Sequence, residues 1–312
     1  MKSAVLMIVF CRPETTKRVF EAVRKARPSR LYVASDAPRD DEDEISRHNE
    51  VQRIFDYVDW PCSLKKFNQE KNVGCSRGPY EAISWFFKYE KEGIILEDDI
   101  IPEPNFFNFC DDMLEKYRSN DKIQMISGWS YFYKGYPSNY PYSYYYSTVP
   151  GCWGWATWKN RWDEVDLSIK DIEEIDVKRY MSEMGYPEYV KKYYIHILNW
   201  VKNNVHDCNC WDYQFMFYMW KSRRFSISPI KRLTMNIGFG KGATHNFNKS
   251  ISFHKSDNNI YPIKHPSEIR PNIIFDIIRF KSDHNYLPTI GEKIYLFIRI
   301  VGGKILRLLK LK

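Results

Sequence analysis

The feature that most limits the fold is the alternation of short apolar runs with longer amphipathic stretches over the first hundred residues. Short apolar runs predict buried strands, and stretches with helical periodicity predict the crossover helices that join parallel strands. The predicted strands are Ala4–Phe10, Leu31–Ser35, Ser63–Phe67 and Gly93–Leu96. The predicted helices between them are Glu14–Lys25, Glu42–Tyr57 and Arg77–Tyr89. The pattern therefore predicts an α/β domain with a mostly parallel sheet.

The rest of the chain is less regular. A helix at Asn105–Tyr117 and a strand at Ile123–Ser127 come before the aromatic run 131–146 and the Gly/Trp-rich segment 150–158. These two segments predict loops and antiparallel strands. Further helices are predicted at Ile172–Met184, Pro187–Asn203 and Trp211–Lys221. A turn-rich segment and a hydrophobic, basic C-terminal tail follow them.

Three consecutive acids, Glu97, Asp98 and Asp99, stand between the apolar runs Gly93–Leu96 and Ile100-Ile101. This places them at the carboxyl end of the fourth predicted strand, which is where open α/β sheets bind ligands. Adjacent carboxylates repel one another and resist burial, whereas a hard divalent cation such as Mg²⁺ or Mn²⁺ stabilises them. A solvated acidic turn is the alternative. The apolar flanks favour a buried cation site.

The segment that contains these acids, residues 82–110, resembles the metal-site (DXD-type) region of the N-acetylglucosaminyltransferases that begin branching of N-glycans and of their bacterial relatives. Three other segments resemble parts of that family in the same order. Val5–Asp36 resembles the nucleotide-binding half of the family. Pro150–Trp155 resembles its Pro-Gly-x-Gly-Trp segment, and Trp211-Asp212 resembles its Trp-Asp pair. The resemblance covers roughly residues 1–245 and is more specific than any single motif.

The resemblance implies a GT-A fold and transfer of a sugar from a nucleotide-diphosphate donor, a UDP-sugar, with Mn²⁺ or Mg²⁺. Asp99 would bind the metal, and Asp98 and Glu97 would face the donor ribose and sugar. Asp36 would accept the uracil imide proton, and Arg12 would reach the nucleotide or its phosphates. Each of the last two has an alternative, because Asp36 could cap the next turn and Arg12 could pair with a surface carboxylate.

Asp212 is the predicted catalytic base, since the Trp-Asp pair of the family carries its catalytic carboxylate. The family typically has two consecutive acids there, whereas this chain has Asp212 followed by Tyr213, so the assignment is open by one position. A capping residue ahead of a helix is the alternative. If Asp212 is the base, a single displacement inverts the anomeric carbon, but the sequence leaves inversion or retention open.

The glycine-rich segment Asn236–His245 resembles the late loop that closes over the diphosphate in many GT-A enzymes. Lys241 would lie near the phosphates, and His245 would bind metal or phosphate; a surface loop is the alternative. Trp153 and Trp155 are predicted either to stack on sugar rings or to fill the core.

Seven cysteines without a repeated spacing favour a reduced, cytosolic setting. Cys208 and Cys210 are predicted to be buried thiols, and a zinc site with His196 and His206 is the weaker alternative. The opening apolar stretch is too short for a signal-peptide core, and no run reaches the length that spans a bilayer. These features predict a protein made and kept on the cytosolic side.

Charge is distributed unevenly, with 29 basic and 34 acidic residues in 1–220 but 18 and 5 in 221–312. A helical wheel of the tail 289–312 places its basic residues on one face among aliphatic residues. This favours an amphipathic helix on an anionic membrane, with a helix packed on the sheet as the alternative. The confinement of the basic excess to one end argues against nucleic-acid binding.

Under the resemblance, residues 1–130 form the nucleotide-sugar-binding half of the domain, residues 131–280 the acceptor-binding and catalytic half, and residues 281–312 the tail. The predicted function is transfer of a sugar to a glycan or a lipid-linked saccharide in surface polysaccharide synthesis, at the inner face of the cytoplasmic membrane. Two alternatives are a non-catalytic carbohydrate-binding protein and a nucleotidyltransferase that makes sugar nucleotides. The identity of the sugar, the base and the acceptor is left open.

Overall fold

A computed structural model describes residues 1–132, 140–205, 208, 210–238 and 259–284. Its central element is an eight-stranded sheet. The eight strands are β1 (Ala4–Val9), β2 (Arg30–Ser35), β3 (Ser63–Asn68), β4 (Glu92–Glu97), β6 (Ile123–Ser127), β7 (Tyr144–Ser147), β8 (Trp155–Trp158) and β9 (Phe225–Pro229). Their order in the sheet is β3-β2-β1-β4-β8-β6-β9-β7. Six of these strands run in the same direction, while β8 and β7 are antiparallel to their neighbours. A mixed α/β fold with a mostly parallel sheet is thereby confirmed.

Helices join the first parallel strands as the sequence pattern predicts. They are α1 (Pro13–Ala26), α2 (Glu42–Ile54) and α3 (Gly74–Phe86), and α4 (Pro104–Tyr117) follows them. Pro13 occupies the first turn of α1, where its missing N–H costs nothing. The predicted helix Glu42–Tyr57 ends earlier, at Ile54, and continues as a single tight 3₁₀ turn over Phe55–Tyr57.

The second half contains both expected and unexpected elements. Its helices are α5 (Lys159–Trp162), α6 (Glu174–Met184), α7 (Glu188–Asn203), α8 (Asp212–Lys221) and α9 (Ile273–Asp283). The antiparallel strands expected after residue 130 are present, and β8 lies between the parallel strands β4 and β6. A small two-stranded sheet of β5 (Ile100–Pro102) and β10 (Thr234–Asn236) was not predicted, nor was α9.

Two hydrophobic cores cover the two faces of the sheet. Along β1, Ala4 and Leu6 face one core, and Val5, Met7 and Val9 face the other. This alternation follows from the two-residue period of a strand, and each fully buried Val or Leu stabilises the fold by roughly 1.5–3 kcal/mol. Helices α3 and α6 to α9 pack on the first face, and α1, α2 and α4 pack on the second.

Helix α9 was missed because two of its charged residues are buried. The Asp276 carboxylate accepts hydrogen bonds from Ser147 Oγ (2.5 Å) and from the backbone N–H of Thr148 (2.8 Å). The buried guanidinium of Arg279 donates to the carbonyl oxygens of Val149 (3.1 Å) and Pro150 (2.7 Å). Burial raises the pKa of Asp276, and the hydrogen bonds oppose that shift. Polar residues on the inner face break the apolar periodicity that reveals a helix.

None of the helices among the described residues has the length and apolar character needed to cross a bilayer. The predicted tail 289–312 lies outside the described residues, and so does most of the predicted part 281–312.

Candidate active site

The predicted site residues of the first half meet at the carboxyl edge of the sheet. Arg12 follows β1, Asp36 follows β2, and Glu97 is the last residue of β4, with Asp98 and Asp99 in the turn to β5. Neighbouring pairs β1–β2 and β1–β4 are parallel, so their carboxyl ends lie side by side. The edge of the sheet that binds ligands in open α/β proteins therefore carries four carboxylates and one guanidinium.

Arg12 forms ion pairs with two of these acids. One guanidinium nitrogen contacts Asp98 Oδ1, and the other donates to Asp99 Oδ2 at 2.7 Å. The backbone N–H of Phe10 donates to Asp98 Oδ2 at 3.1 Å. Asp98 and Asp99 are only 2% and 8% exposed. The alternative that Arg12 pairs with a carboxylate is thus realised, but its partners are the buried acids of the cluster and not a surface residue.

One arginine does not balance the charge of this cluster. Burial, followed by the charge of Asp99, raises the pKa of Glu97 to about 8, although Arg12 opposes the shift. Burial also raises the pKa of Asp98 to about 6 against the lowering effect of Arg12. None of the hydrogen bonds within the described ranges involves the Glu97 carboxylate. The cluster therefore favours an additional positive charge, because each ionised acid penalises the next.

Asp36 is held by the turn that leads into α3. Its carboxylate accepts hydrogen bonds from the backbone N–H groups of Ala37, Val73 and Gly74, each at 2.9 Å. Burial raises its pKa, and these three bonds oppose the shift. This is the capping role considered for Asp36, and it uses much of the acceptor capacity that a base would need. Contact between Asp36 and a nucleotide base stays a prediction.

Asp212 faces the same region from another element. It is the exposed first residue of α8, and Trp211 occupies the N-cap position with no side-chain capping bond. Asp212 is therefore not the N-cap residue. Its negative charge contributes to the raised pKa of both Glu97 and Cys152, so its carboxylate is within electrostatic range of the cluster. A helix N-terminus stabilises the carboxylate anion, the form that accepts a proton.

The two tryptophans predicted to bind sugar have different surroundings. Trp155 is 1% exposed and stacks on Trp211, with ring centroids 5.6 Å apart and planes at 26°. The sugar-stacking interpretation of Trp155 is therefore wrong, because β8 directs the ring into the core. Trp153 is partly exposed and packs edge-on against Trp129, with centroids 4.5 Å apart. Trp153 stays a candidate for sugar contact.

Gly238 is part of the site and was not singled out from the sequence. The pairing of β10 with β5 brings the chain over the acids, and the Ile237 N–H donates to the Asp99 carbonyl at 2.8 Å. A Cβ atom at Gly238 would overlap the Asp99 carboxylate. The glycine-rich segment Asn236–His245 was the available signal. Lys241 and His245 lie outside the described residues, so their roles stay predictions.

The described residues do not form a closed metal cage. Within them, no group of three or more His, Cys, Asp or Glu side chains is arranged to hold a metal ion. Both oxygens of Asp98 already accept hydrogen bonds. Carboxylate oxygen is nevertheless the ligand that Mg²⁺ and Mn²⁺ prefer, and such ions commonly take their other ligands from water and substrate phosphates. Asp99 is the residue that would hold such an ion.

The cysteines differ from the prediction at one place. Cys208 and Cys210 form a disulfide, so they are neither separate thiols nor zinc ligands in this structure. His196 lies on α7, and His206 lies outside the described residues. Cys11, Cys62, Cys110 and Cys152 are free thiols. The disulfide immediately precedes Trp211 and the first residue of α8.

No family model matches this sequence, and no curated protein matches it. Among solved structures, the chain is similar to a mannosyltransferase from Pyrobaculum calidifontis, in complex with GDP-Man and Mn²⁺, at 10% identity and a TM-score of 0.44. That match covers 78% of this chain but only 59% of the mannosyltransferase.

Two further similarities have lower TM-scores. The glycosyltransferase GlyE of Streptococcus pneumoniae matches at 10% identity over 72% of this chain and 45% of its own, with a TM-score of 0.36. An inositol-1-phosphate CTP transferase from T. maritima matches at 9% identity over 52% and 74%, with a TM-score of 0.32. Likeness at this level assigns neither a family nor a reaction, so the function is argued from the residues of the chain itself.

Proposed function

We propose that this protein is a metal-dependent glycosyltransferase of the GT-A type that transfers a sugar from a nucleotide-diphosphate donor, a UDP-sugar. The observation that supports this most directly is the acidic cluster, three acids of which two are buried, at the carboxyl edge of a mostly parallel sheet. A cluster with raised carboxyl pKa values and a single arginine needs further positive charge. A divalent cation carried with a nucleotide diphosphate supplies that charge at the usual ligand edge.

The residues divide the chemistry between them. Asp99 would hold the cation, which acts as a Lewis acid toward the departing diphosphate. Arg12 would contact the phosphates, and Glu97 and Asp98 would face the ribose and sugar. Asp212 would accept the proton of the acceptor hydroxyl, because it is an exposed carboxylate within electrostatic range of the cluster. One base acting opposite the leaving group gives inversion at the anomeric carbon.

The proposal also covers residues beyond those described. Lys241 and His245 belong to the glycine-rich segment Asn236–His245, in which Gly238 lies against Asp99, so they would reach the diphosphate or the metal. The proposed acceptor is a glycan or a lipid-linked saccharide in surface polysaccharide synthesis. A basic tail at 289–312 would hold the protein on the anionic inner face of the cytoplasmic membrane, close to such an acceptor. Residues 1–130 would bind the donor and 131–280 the acceptor.

A thermal-shift panel tests the donor assignment. Melting is measured with UDP, GDP, dTDP and CDP, each with and without Mn²⁺, because a ligand that binds only the folded state raises the melting temperature. We expect UDP with Mn²⁺ to give the largest increase, and the Asp99→Ala variant to lose the part that depends on Mn²⁺. If none of the four nucleotides gives a Mn²⁺-dependent increase in melting temperature, the proposal is wrong.

Two alternative functions are separated by their products. A carbohydrate-binding protein binds sugar without turnover, so it releases no UDP from a UDP-sugar in the presence of Mn²⁺. A nucleotidyltransferase joins a nucleoside triphosphate to a sugar phosphate and releases pyrophosphate from the triphosphate. A glycosyltransferase releases UDP slowly by hydrolysis and faster when an acceptor is added.

A further inference from the structure

The guanidinium of Arg12 is bound to the carboxylate that would hold a cation. It contacts Asp98 on one side and the Asp99 Oδ2 atom on the other, at 2.7 Å. A carboxylate oxygen that accepts a charged hydrogen bond from a guanidinium cannot at the same time present that lone pair to a metal. Arg12 therefore competes with a divalent cation for Asp99, both for this lone pair and through the repulsion between the two positive charges.

Arg12 is the partner that can move. Its side chain is 31% exposed, whereas those of Asp98 and Asp99 are 3% and 12% exposed. Its backbone is fixed, since its carbonyl oxygen accepts hydrogen bonds from the N–H (2.9 Å) and hydroxyl (2.7 Å) of Thr16 at the start of α1. A long side chain on an anchored backbone can leave the acids and extend toward solvent.

Release of Arg12 has to be compensated by another anion. Asp98, Asp99 and Glu97 raise the pKa of Arg12 against the lowering effect of burial, so the acids of the cluster are its main charge partners among the described residues. A divalent cation placed beside the guanidinium would repel it. A diphosphate gives the guanidinium a new partner, because its planar N–H groups match phosphate oxygens.

We propose that Arg12 is an internal counter-cation that occupies the metal position until the donor arrives, and that cation binding and nucleotide binding are coupled through its transfer from Asp99 to the diphosphate. This inference rests on the proposed function. The coupling is reciprocal, so the nucleotide tightens the binding of the cation by the same factor by which the cation tightens the binding of the nucleotide.

The test measures Mn²⁺ affinity directly, from the loss of the free Mn²⁺ signal in electron paramagnetic resonance, with and without UDP. Arg12→Gln removes the competitor, and we expect this variant to bind Mn²⁺ without nucleotide about tenfold more tightly than the unchanged protein, with a correspondingly smaller increase on adding UDP. The matched control is Arg24→Gln. Arg24 lies on α1 and forms an exposed ion pair with Asp59, so this substitution also removes one positive charge. We expect its Mn²⁺ affinity to be unchanged.

Thermal unfolding shows whether Arg12→Gln is folded. If it is not, Arg12→Lys serves instead, because it keeps the charge but lacks the planar guanidinium fork that contacts both acids, and we expect it to bind Mn²⁺ more tightly than the unchanged protein. A Mn²⁺ affinity no higher than that of the unchanged protein in the folded variant overturns the inference. If Arg12→Gln gains Mn²⁺ affinity but no nucleoside diphosphate binds to either protein, competition is supported while the proposed donor is wrong.

Discussion

The two edges of the sheet carry similar side chains in opposite electrostatic situations. At the amino edge, an open groove of about 820 Å³ is lined by charged residues that form pairs. Arg30 contacts Glu90 at 2.9 Å, Arg118 contacts Glu92 at 2.8 Å, and Lys159 pairs with Asp163. At the carboxyl edge, three consecutive acids share one arginine, and two of them are almost completely buried.

The difference shows which edge has negative charge that the described side chains do not compensate. Paired charges that remain in contact with water are already compensated, and such pairs contribute roughly 0–1 kcal/mol each. Carboxylates that are buried with too few positive partners are stabilised when a further positive charge binds beside them. The large groove at the amino edge is therefore the less informative feature, and the small acidic cluster is the better candidate for chemistry.

The largest expected effect separates chemistry from binding at the carboxyl edge. Asp212→Asn removes the proposed base but keeps the shape of an exposed residue, so we expect sugar transfer to fall by about 10²–10⁴-fold. UDP and Mn²⁺ affinities should not change, because Asp212 is not placed on the cation. Rates are measured as acceptor-dependent UDP release, and binding by calorimetry. Full turnover in this variant would remove Asp212 from the mechanism.

A smaller effect is expected from crowding the acids. Gly238→Ala adds a methyl group where the Asp99 carboxylate lies, so we expect Mn²⁺ affinity and transfer to fall by about tenfold as Asp99 is displaced. The control is Gly185→Ala at the left-handed C-cap of α6, which should lower stability by about 1–2 kcal/mol without changing Mn²⁺ affinity. Normal Mn²⁺ binding by Gly238→Ala would mean that this backbone is not close to Asp99.

The raised carboxyl pKa values predict a pH effect on stability. The folded protein holds a proton on Glu97 up to about pH 8, whereas an unfolded chain releases it near pH 4.3. The stability contributed by this proton is present below about pH 4 and is lost as the pH rises toward 8. Without metal, we expect the melting temperature to fall between about pH 5 and pH 8, and to fall less in Glu97→Gln. If calorimetry gives the same slope of melting temperature against pH for both proteins, the raised pKa of Glu97 is contradicted.

The smallest effect is expected at the amino edge. Arg118→Ala breaks exposed pairs with Glu92 and Glu115, so the free energy of unfolding should change by less than about 1 kcal/mol. Transfer and Mn²⁺ affinity should stay as they are. Urea unfolding measures the first quantity, and the UDP-release assay the second. A tenfold loss of transfer would show that the two edges are not functionally distinct.

The sequence predicted the first half of the fold closely because its strands are continuous apolar runs between helices with clear periodicity. The predicted strand Ala4–Phe10 differs from β1 by one residue, and Ile123–Ser127 is β6 without change. The sequence predicted neither the bounds of β8 nor the presence of α9. Every residue of β8 is buried, so its alternation of faces is invisible, and α9 buries Asp276 and Arg279.

The candidate site was predicted in part. The positions of Arg12, Asp36 and the acidic cluster follow from counting strand ends. The ion pairs of Arg12, the backbone bonds of Asp36 and the packing of Gly238 on Asp99 do not, since each joins segments that are distant in sequence. Trp155 was open between ligand and core, and only its stacking on Trp211 decided the question.

By itself, the sequence determined an α/β sheet with acids at the end of its fourth strand, because hydrophobic periodicity and the order of the residues are local properties. Only the tertiary structure decided which charges the acids face. The parallel pairing of β1 with β4 sets Arg12 beside Asp98 and Asp99, and the packing of α8 brings Asp212 close enough for its charge to act on Glu97. Electrostatic interactions depend on distance and burial in space, and neither can be read from positions along the chain.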